Sequence, residues 1–281
     1  MIPVTQKFAS VYENVNMLFK SIFESAQRSE LIDYNPAASI SPRGGKPAKE
    51  RIPLTDEQVN ILLDTVKDLP PYTFIMSALY AGLRREEILG LQWDCVFLDV
   101  STPYISVRRA WRSVKNRPDV TTVLKTPAAK RDIPIPKKLV DCLREQKEKS
   151  ISEYVIADRN GEVLSYSQFT RVWNYIKVRS TRKRFYYKYV NGEKLRINVP
   201  GHKVGEYQKK NPKLVYTIDF EVTPHMLRHT YITNLIYEGV DPKTVKYLAG
   251  HDNSKTMMDI YAKVKYNKPK DQIDAVNGAL K

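Results

Sequence analysis

The sequence predicts a mainly α-helical fold that carries a small antiparallel β-sheet, an α+β architecture. Apolar residues recur at helical spacing through most of the chain, whereas strand-like runs are confined to 99–136 and to a second stretch around Asn191. A chain of 281 residues is long enough for two domains. We therefore expect a small helical domain followed by a larger domain that contains the sheet.

The N-terminal part of the chain predicts one amphipathic helix and a linker. Apolar side chains follow a helical pattern over 11–26, and 41–49 then mixes proline and glycine with basic residues. Such breakers are typical of a connection between domains. We place the first domain at 1–42, the linker at 43–52 and the second domain at 53–281.

Helices account for most of the second domain. Thr55 precedes an acid-rich first turn, and Asp241 precedes a proline that suits the first turn of a helix. Gly250 is expected to end the helix that Asp241 begins. The helices are predicted at 56–68, 71–81, from residue 84, 137–149, 165–179, 224–238, 242–248 and 254–263.

The pattern becomes strand-like between the third and fourth of these helices. Runs at 104–107, 121–124 and 132–135 are rich in Val, Ile, Thr and Tyr, which favour extended structure. They predict a three-stranded antiparallel sheet within about 96–135. Lys125 falls in the turn between the second and third runs.

An Asn-Gly pair at 191–192 lies between two alternating runs and predicts a two-residue β-hairpin near 183–200. One face of this hairpin is aromatic and basic, and the other is more apolar. We expect the apolar face to rest on the domain while the basic face meets an anionic partner. The predicted cross-strand pairs are Tyr189–Lys194 and Tyr187–Arg196 on the basic face, and Lys188–Leu195 and Tyr186–Ile197 on the apolar face.

The charge balance indicates a nucleic-acid partner. The chain has 46 Lys and Arg against 31 Asp and Glu, a formal net charge of +15 and a pI of about 9.6. Such a protein displaces counterions from phosphates. Ribosomal, membrane-surface and RNA-binding proteins share this composition, so the distribution is more informative: 179–213 holds eleven Lys and Arg but only two Glu.

Two arginines, two histidines and a tyrosine form the pattern that is most informative about chemistry. His225 and Arg228 are three residues apart on one predicted helix and therefore share a face. His251 follows in the turn after the next helix, and Tyr261 lies on the helix after that. Arg84 supplies a second guanidinium from far upstream. Together these residues look like a phosphoryl-transfer site.

With these residues in this order, the chain resembles the tyrosine recombinase (phage integrase) family, and most of all the integrases of conjugative transposons and phages. The family's Ala/Thr-Gly-Leu-Arg box is matched by 81–84, its His-x-x-Arg box by 225–228 and its Gly-His by 250–251, with a tyrosine later in the chain. The family also places a lysine in a β-turn, which Lys125 matches. The resemblance covers 51–266 and implies a tyrosine recombinase catalytic domain preceded by a partial helical core-binding domain.

The resemblance and the chemistry of phosphoryl transfer together imply a role for each residue. Arg84 and Arg228 would clamp the equatorial oxygens of a phosphorane, which planar guanidinium groups match well. Tyr261 would attack the phosphorus, and His225 would accept the phenolic proton. His251 would donate a hydrogen bond to a non-bridging oxygen.

Two further residues complete the predicted site. By resemblance to the family, Lys125 would be the general acid that protonates the departing 5′ oxygen. Glu87, three residues beyond Arg84, would orient an arginine or His225 as a supporting carboxylate.

DNA contacts are predicted for the linker, for the loop after Lys125 and for the hairpin, which is longer than the family's usual connection and so resembles an insertion. The insertion would touch the DNA backbone or a neighbouring protomer, unless it is only a solvated surface hairpin. The predicted contact residues are Arg43, Lys46, Lys49, Lys130, Arg131, Arg182, Lys183, Arg184, Tyr187, Tyr189, Lys194 and Arg196.

No metal and no cofactor are expected. Cys95 and Cys142 are distant from each other and from any histidine at ligand spacing, and the sequence has no Walker-type glycine-rich loop. A phosphotyrosine bond would conserve the energy of the cut backbone, so neither ATP nor magnesium is required. The sequence also has no signal-peptide pattern and no apolar stretch that would span a bilayer, which fits a reducing, DNA-containing compartment. The resemblance to the family implies a bacterial, cytoplasmic and nucleoid-associated protein.

The sequence therefore predicts a site-specific DNA recombinase for the integration and excision of a mobile element. The resemblance implies a homo-tetramer on double-stranded DNA, a monomer when free, and an accessory DNA-bending protein as a further partner. Three alternatives stay open: a Xer-type housekeeping recombinase, a nicking-closing enzyme like a type IB topoisomerase, and a non-catalytic DNA-binding regulator. A helical segment at 268–281 would dock either on a neighbouring protomer or on its own domain.

Overall fold

The fold is described from a computed structural model of the chain. It describes residues 9–41, 44, 52–115, 117–124, 126–209 and 211–250. The chain divides into two compact units, Met1–Ile52 and Pro53–Lys281. No helix among the described residues is both long enough and apolar enough to cross a membrane.

The first unit consists of one long helix and the chain that folds back along it. Helix α1 (Ala9–Arg28) is somewhat longer than the predicted helix at 11–26. The side-chain amide of Asn16 donates to the carbonyl oxygen of Ile40 at 3.1 Å, and that of Asn35 donates to the carbonyl oxygen of Lys20 at 3.1 Å. These bonds hold the returning segment against the helix.

The second unit contains seven helices in its described part, close to those predicted. Two begin with the expected caps: Thr55 Oγ1 accepts from the Gln58 backbone N–H at 3.2 Å, and the Asp241 carboxylate accepts from the backbone N–H groups of Lys243 and Thr244. The helices are α2 (Asp56–Val66), α3 (Tyr72–Tyr80), α4 (Arg85–Leu89), α5 (Lys137–Lys149), α6 (Tyr166–Lys177), α7 (Pro224–Tyr237) and α8 (Pro242–Ala249). The predicted helix at 254–263 lies outside the described residues.

The small sheet is three-stranded, as predicted, but its membership differs. It consists of β1 (Val96–Phe97), β2 (Tyr104–Val107) and β5 (Arg131–Pro134), all antiparallel in the order β1-β2-β5. The predicted strand at 121–124 was wrong, because β1 and β5 already occupy both edges of β2. Residues 122–124 lie outside any strand.

A separate two-stranded hairpin precedes that loop. It pairs β3 (Ala110–Val114) with β4 (Arg117–Thr121). This hairpin was not predicted from the sequence because β4 contains Pro118 and Asp119, two residue types that are depleted in strands. A two-stranded hairpin tolerates a proline because both of its strands are edge strands.

The predicted Asn-Gly hairpin is present with the expected register. It pairs β6 (Arg184–Val190) with β7 (Glu193–Val199), so that Tyr189 lies opposite Lys194. Asn191 and Gly192 have φ angles of 50° and 84°, as a turn with two left-handed residues requires. A second small hairpin that was not predicted follows, formed by β8 (Tyr207–Gln208) and β9 (Asn211–Val215).

The apolar face of the Asn-Gly hairpin β6–β7 is not covered by the rest of the domain. Tyr186 is 53% exposed and Leu195 is 42% exposed, although both were expected to rest on the domain. The reason is that no other helix or strand of the described structure packs extensively on β6 or β7, which form a two-stranded ribbon of their own. Both of its faces are therefore accessible.

The core of the second unit surrounds helix α3, which is buried along almost its whole length. Phe74 of α3 packs against Phe169 and Trp173 of α6, with ring centroids 5.1 and 5.6 Å away. A smaller apolar cluster joins α7 to α8 through residues that include Ile232 and Val245. This second cluster sets the position of the C-terminal end of α8, where the candidate site lies.

Candidate active site

Arg84 is held in place by a carboxylate from its own helix. The residue caps α4 in an extended conformation, and the Glu87 carboxylate accepts from the Arg84 backbone N–H at 2.8 Å. The same carboxylate accepts from Arg84 Nη1 at 2.7 Å. The Arg84 side chain remains 35% exposed, so its guanidinium group is fixed on one side and open to solvent on the other.

The turn before Arg84 requires a glycine. Gly82 has a φ of 59°, a left-handed conformation that favours glycine. A Cβ atom at this position would lie 2.1 Å from Cδ1 of Tyr231 on α7. The Tyr231 ring therefore packs directly on the backbone of Gly82, so that the turn before Arg84 is in close contact with α7.

Arg228 lies beneath this turn. Its side chain is only 3% exposed, because Arg228 is on the buried side of α7. Nη1 donates to the carbonyl oxygen of Gly82 and Nη2 donates to the carbonyl oxygen of Ala249. Arg228 thus joins the Arg84 turn to the end of α8.

Three arginines converge on the C-terminal end of α8. Three consecutive backbone carbonyl oxygens each accept a hydrogen bond from a different arginine. The Leu248 carbonyl accepts from Arg131 Nε at 2.8 Å, the Ala249 carbonyl accepts from Arg228, and the Gly250 carbonyl accepts from Arg84 Nη2 at 2.6 Å. The last carbonyls of a helix lack partners within the helix and carry partial negative charge, so cations stabilise them. Gly250 ends the helix in a left-handed conformation with a φ of 58°, as predicted.

Arg131 differs from its predicted role as a phosphate contact. Its side chain is among the largest that are fully buried, with 1% of the residue exposed. Nη1 and Nη2 donate to the two Glu87 oxygens at 2.9 and 2.8 Å, and Nη1 also donates to the carbonyl oxygen of Ala129 at 2.8 Å. Strand periodicity places Arg131 on the same face of β5 as the buried Ile133, a signal that was present in the sequence but not used.

The electrostatics of the cluster are dominated by one carboxylate among three guanidinium groups. Burial alone would raise the pKa of Glu87, but hydrogen bonds from Arg131 and the charges of Arg131, Arg84 and Arg228 lower that pKa to about 2. Burial and the neighbouring charge of Arg84 lower the pKa of Arg228 to about 9, which leaves it charged at neutral pH. The cluster therefore has an excess of positive charge, as an anion site requires.

A buried tyrosine belongs to the same cluster. Burial raises the pKa of Tyr231 to about 12, against the opposing influence of the Arg131 and Arg228 charges. The phenol thus stays neutral, and its ring packs on the Arg84 turn. Tyr231 was not predicted as a site residue, because one tyrosine in an apolar helix has no distinguishing sequence pattern.

The two histidines of α7 differ in environment. His225 is in the first turn of the helix with an exposed side chain, one turn before the buried Arg228. His229 bonds within its own helix, where Nδ1 lies 2.9 Å from Thr233 Oγ1. His225 is therefore the more exposed of the two histidines of α7.

Several predicted site residues lie outside the described part of the chain. Among the predicted catalytic residues these are Lys125, His251 and Tyr261, and among the predicted DNA contacts they are Arg43, Lys46 and Lys49. The described chain stops at Leu124 and resumes at Thr126, and it ends at Gly250 beside the arginine cluster. Lys125 and His251 are thus adjacent in sequence to described residues.

The hairpin brings its predicted aromatic and basic residues together. The Lys194 ammonium lies 4.5 Å from the centre of the Tyr187 ring, and the Arg196 guanidinium lies 4.0 Å from that of Phe185. Phe185 was not predicted, although alternation along β6 puts it on the Tyr187 face. Cation-π pairs of this kind present both charge and flat rings on one surface.

The remaining predicted contacts are spread over the base of the hairpin and the β5 loop. Lys130 and Lys183 have exposed side chains, and Tyr189 extends from the hairpin tip. Arg182 pairs with Glu221 at 3.2 Å, and Arg184 Nη1 donates to the carbonyl oxygen of Lys177. Lys130, Lys183 and Tyr189 are therefore accessible, whereas the two arginines already have protein partners.

No cluster of three or more His, Cys, Asp or Glu side chains with metal-binding geometry occurs in the described residues. Cys95 and Cys142 are both buried and unbridged. Burial raises the pKa of Cys142 to about 11, which disfavours its thiolate.

Comparison with known proteins agrees with the arrangement. The model of the phage integrase family matches residues 53–200 and 203–268, which is more than half of the chain. This chain therefore belongs to the phage integrase family, and the resemblance predicted from its sequence is confirmed.

Individual relatives show the same similarity. The chain is 25% identical over 283 residues to the ICEBs1 integrase of Bacillus subtilis (strain 168), and the match covers 95% of this chain but only 65% of that protein. Among solved structures, the Tn1549 transposon integrase in complex with transposon right end DNA has a TM-score of 0.71 at 18% identity, over 96% of this chain and 80% of that one. A lambda integrase tetramer bound to a Holliday junction has a TM-score of 0.51 at 17% identity, over 88% of this chain and 57% of that one. The predicted mainly α fold with small antiparallel sheets is thereby confirmed.

Proposed function

We propose that this chain is the catalytic part of a site-specific DNA recombinase that cuts and rejoins strands through a 3′-phosphotyrosine intermediate. The observation that carries the proposal is the meeting of Arg84 and Arg228 at the end of α8, where they donate to the adjacent carbonyls of Gly250 and Ala249. Two guanidinium groups from distant parts of the sequence thus converge at Ala249 and Gly250, and His251 is the next residue in the sequence.

The arginine cluster suits the charge that develops during phosphoryl transfer. The five-coordinate phosphorane gathers negative charge on its equatorial oxygens, and fixed guanidinium donors stabilise it more than they stabilise the ground state. Arg84 uses Nη1 and Nη2 for protein bonds, so other N–H donors of its exposed guanidinium remain for a phosphate. Glu87 and the Gly250 carbonyl keep the Arg84 guanidinium oriented, and the single Glu87 carboxylate does not neutralise the three arginines.

The remaining steps fall to residues that the family resemblance identifies. The Tyr261 phenol attacks the scissile phosphorus, its proton passes to His225, and the bond to the 5′ oxygen breaks as Lys125 supplies a proton to that oxygen. His251 donates a hydrogen bond to a non-bridging oxygen. The 5′ hydroxyl of a partner strand then attacks the phosphotyrosine, which releases the tyrosine and reseals the backbone.

The role in a mobile element follows from the relatives. The ICEBs1 integrase and the Tn1549 transposon integrase support integration and excision of such an element as the biological setting. Residues 1–42 would be the last part of a core-binding domain and 43–52 the linker to the catalytic domain. The linker cations Arg43, Lys46 and Lys49 would contact DNA.

The assembly we propose is a homo-tetramer on two double-stranded DNA duplexes, and a monomer when free. The lambda integrase tetramer on a Holliday junction supports this because it shares the fold. An accessory DNA-bending protein would assist by bringing distant segments of DNA together.

The hairpin β6–β7 would contact the DNA backbone through its aromatic and basic face. Lys194 and Arg196 supply the charge, while Tyr187 and Phe185 hold these cations in place through cation-π contacts. Deletion of 186–197 should abolish recombination while leaving the fold intact, because β6 and β7 pair only with each other in the described structure. Unchanged recombination by the deletion variant would refute this role.

Covalent trapping tests the reaction. The suicide substrates are nicked DNA duplexes of two kinds: one has a randomised sequence at the cleavage region, and the other carries the sequences that flank the host element. A denaturing gel reveals the covalent protein-DNA adduct. The wild-type chain should form an adduct, and the Tyr261→Phe variant should bind the same DNA without forming one. An adduct in the Tyr261→Phe variant, or none in the wild type, contradicts the proposal.

A two-duplex assay then separates recombination from simple nicking and closing. Joined products from two duplexes that carry the selected site support a recombinase. Relaxation of a supercoiled plasmid without such products would instead indicate a type IB topoisomerase-like activity.

A further inference from the structure

Arg131 makes more hydrogen bonds than the other two arginines of the cluster. All three of its nitrogens donate, to Leu248, to Ala129 and to both oxygens of Glu87, at distances between 2.8 and 2.9 Å. The exposed fraction of the side chain is 0%. It therefore touches neither solvent nor a bound DNA strand.

Each partner of Arg131 belongs to a segment that leads to a different proposed reacting group. Glu87 holds Arg84 through both its backbone N–H and its Nη1. Ala129 ends the short 3₁₀ turn Pro127–Ala129, which begins two residues after Lys125 in the sequence. Leu248 is in the last turn of α8, which ends two residues before His251.

A second bond ties the same two elements together. The backbone N–H of Asp132 donates to the hydroxyl of Tyr247 at 3.1 Å, next to the bond from Arg131 to Leu248. Strand β5 and the end of α8 are thus joined at two successive residues on each side. Two adjacent hydrogen bonds therefore fix the position of β5 relative to the end of α8.

We propose that Arg131 is a positioning residue that sets Arg84, the Pro127–Ala129 turn and the end of α8 in one mutual arrangement for the reaction. The inference rests on the recombinase function proposed above. Only a planar group with several donors in one plane meets two carboxylate oxygens and two carbonyls at once, so a lysine at 131 keeps the charge but loses most of these bonds. Residues that orient the ligands of a metal centre typically cost 10- to 100-fold in activity when replaced, and we expect a loss of this order for a residue that orients a phosphate-binding arginine.

The first experiment compares adduct formation by Arg131→Lys with that of the wild type at saturating suicide DNA. The rate should fall about 10- to 100-fold, whereas the DNA concentration for half-saturation should stay the same because Arg131 does not reach DNA. Arg109→Lys is the matched control. Arg109 also makes a bidentate pair, with Asp94 at 2.7 and 2.8 Å, but outside the cluster, so its replacement should leave the rate unchanged.

A double-mutant cycle separates positioning from a general loss of stability. If Arg131 acts through Glu87 on Arg84, then Arg131→Lys should slow the Arg84→Lys variant much less than it slows the wild type. Independent, multiplicative effects of the two substitutions would overturn the proposal. A rate for Arg131→Lys within twofold of the wild type would overturn it as well.

A measurement without DNA keeps this test independent of the proposed function. In protein with ¹⁵N-labelled arginine, the Arg84 guanidinium signals are assigned by their loss in Arg84→Lys. They should exchange slowly with solvent in the wild type and faster in Arg131→Lys. Unchanged Arg84 exchange refutes the positioning role even if the wild type forms adducts, whereas absent adducts with altered exchange refute only the recombinase function.

A second variant covers the case in which Arg131→Lys does not fold. A Cβ atom on Gly250 would lie 2.7 Å from Arg131 Nη1, so Gly250→Ala displaces the guanidinium without removing any charge. The Arg84 signals should again exchange faster than in the wild type. Unchanged signals in folded Gly250→Ala protein would count against Arg131.

Discussion

Arg84 Nη2 donates to the carbonyl oxygen of Gly250 at 2.6 Å, across 166 residues of sequence. The bond joins the short helix α4, near the start of the second unit, to the end of α8. Because Gly250 is the residue that ends α8, the contact sets how the chain leaves the helix. The candidate site is thus built at the meeting point of elements that are far apart in the chain.

The Gly82 turn should not tolerate a side chain. In Gly82→Ala the new Cβ would meet the Tyr231 ring at 2.1 Å and the residue would keep a left-handed φ of 59°. We expect a loss of about 3 kcal/mol in the free energy of unfolding, from about 1–2 kcal/mol for the backbone and a similar amount for overpacking. Urea denaturation measures it.

Gly239→Ala is the control for that substitution. Gly239 has a φ of 79°, and no described atom lies within 4 Å of the position that its Cβ would take, so only the backbone cost of about 1–2 kcal/mol should appear. The double variant Gly82→Ala plus Tyr231→Ala should lose less unfolding free energy than the sum of the losses of the two single variants, because the clashing ring is absent. Equal losses for Gly82→Ala and Gly239→Ala would show that the close approach to Tyr231 is not the cause.

Glu87 should make stability depend on pH in the acid range. Its pKa is lowered from an ordinary 4.5 to about 2 in the folded protein, so its stabilisation is fully present above pH 4.5 and is lost as the pH falls through 2. This shift corresponds to about 3 kcal/mol. The difference in unfolding free energy between the wild type and Glu87→Gln should therefore shrink by about that amount from pH 5 to pH 2.

Other acidic groups lose stabilisation in the same range, but they do so in both proteins. The pKa values of Asp94 and Asp158 are lowered by hydrogen bonds, and these residues are present in the wild type and in Glu87→Gln alike. The difference between the two curves thus isolates Glu87. A difference that stays constant with pH would contradict the lowered pKa.

Thr230 should stabilise the fold through a buried hydrogen bond to the backbone of Leu54. Its Oγ1 donates to the Met226 carbonyl at 2.9 Å and also accepts from the buried backbone N–H of Leu54 at 2.9 Å. Thr230→Val leaves that N–H without a partner, which should cost about 1–3 kcal/mol in thermal or chemical unfolding. Thr170→Val is the matched control, since Thr170 makes the same bond to its own helix at 2.9 Å on an exposed surface. A control loss as large as that of Thr230→Val would argue against the Leu54 bond.

The basic face of the hairpin should show itself in the salt dependence of DNA binding. If Lys194 contacts a phosphate, Lys194→Ala should weaken binding to any duplex and reduce the slope of log K against log salt by about 1. Lys147→Ala removes an exposed lysine on α5 and should leave the slope unchanged. Titrations of a fluorescent duplex at several salt concentrations measure both slopes, and an identical reduction in the two variants would remove the special role of the hairpin.

Local pattern was enough for most of the elements. The caps at Thr55 and Asp241 and the Asn191–Gly192 turn acted within a few residues, so the helix starts and the hairpin register could be predicted. The strand at 121–124 was predicted wrongly because pairing partners are distant in sequence. Which run completes a sheet depends on whether an edge is still open, and β5 had taken it.

By itself, the sequence determined the fold class and the family, and it singled out Arg84, Glu87 and Arg228, which the structure brings together. Only the tertiary structure decided that Arg131 is internal and that Leu248, Ala249 and Gly250 each accept from a different arginine. The physical reason is that burial and hydrogen bonding of a charged side chain depend on neighbours brought from remote segments. A basic residue in a loop and one in the core have the same letter, and the difference is set by what packs around it.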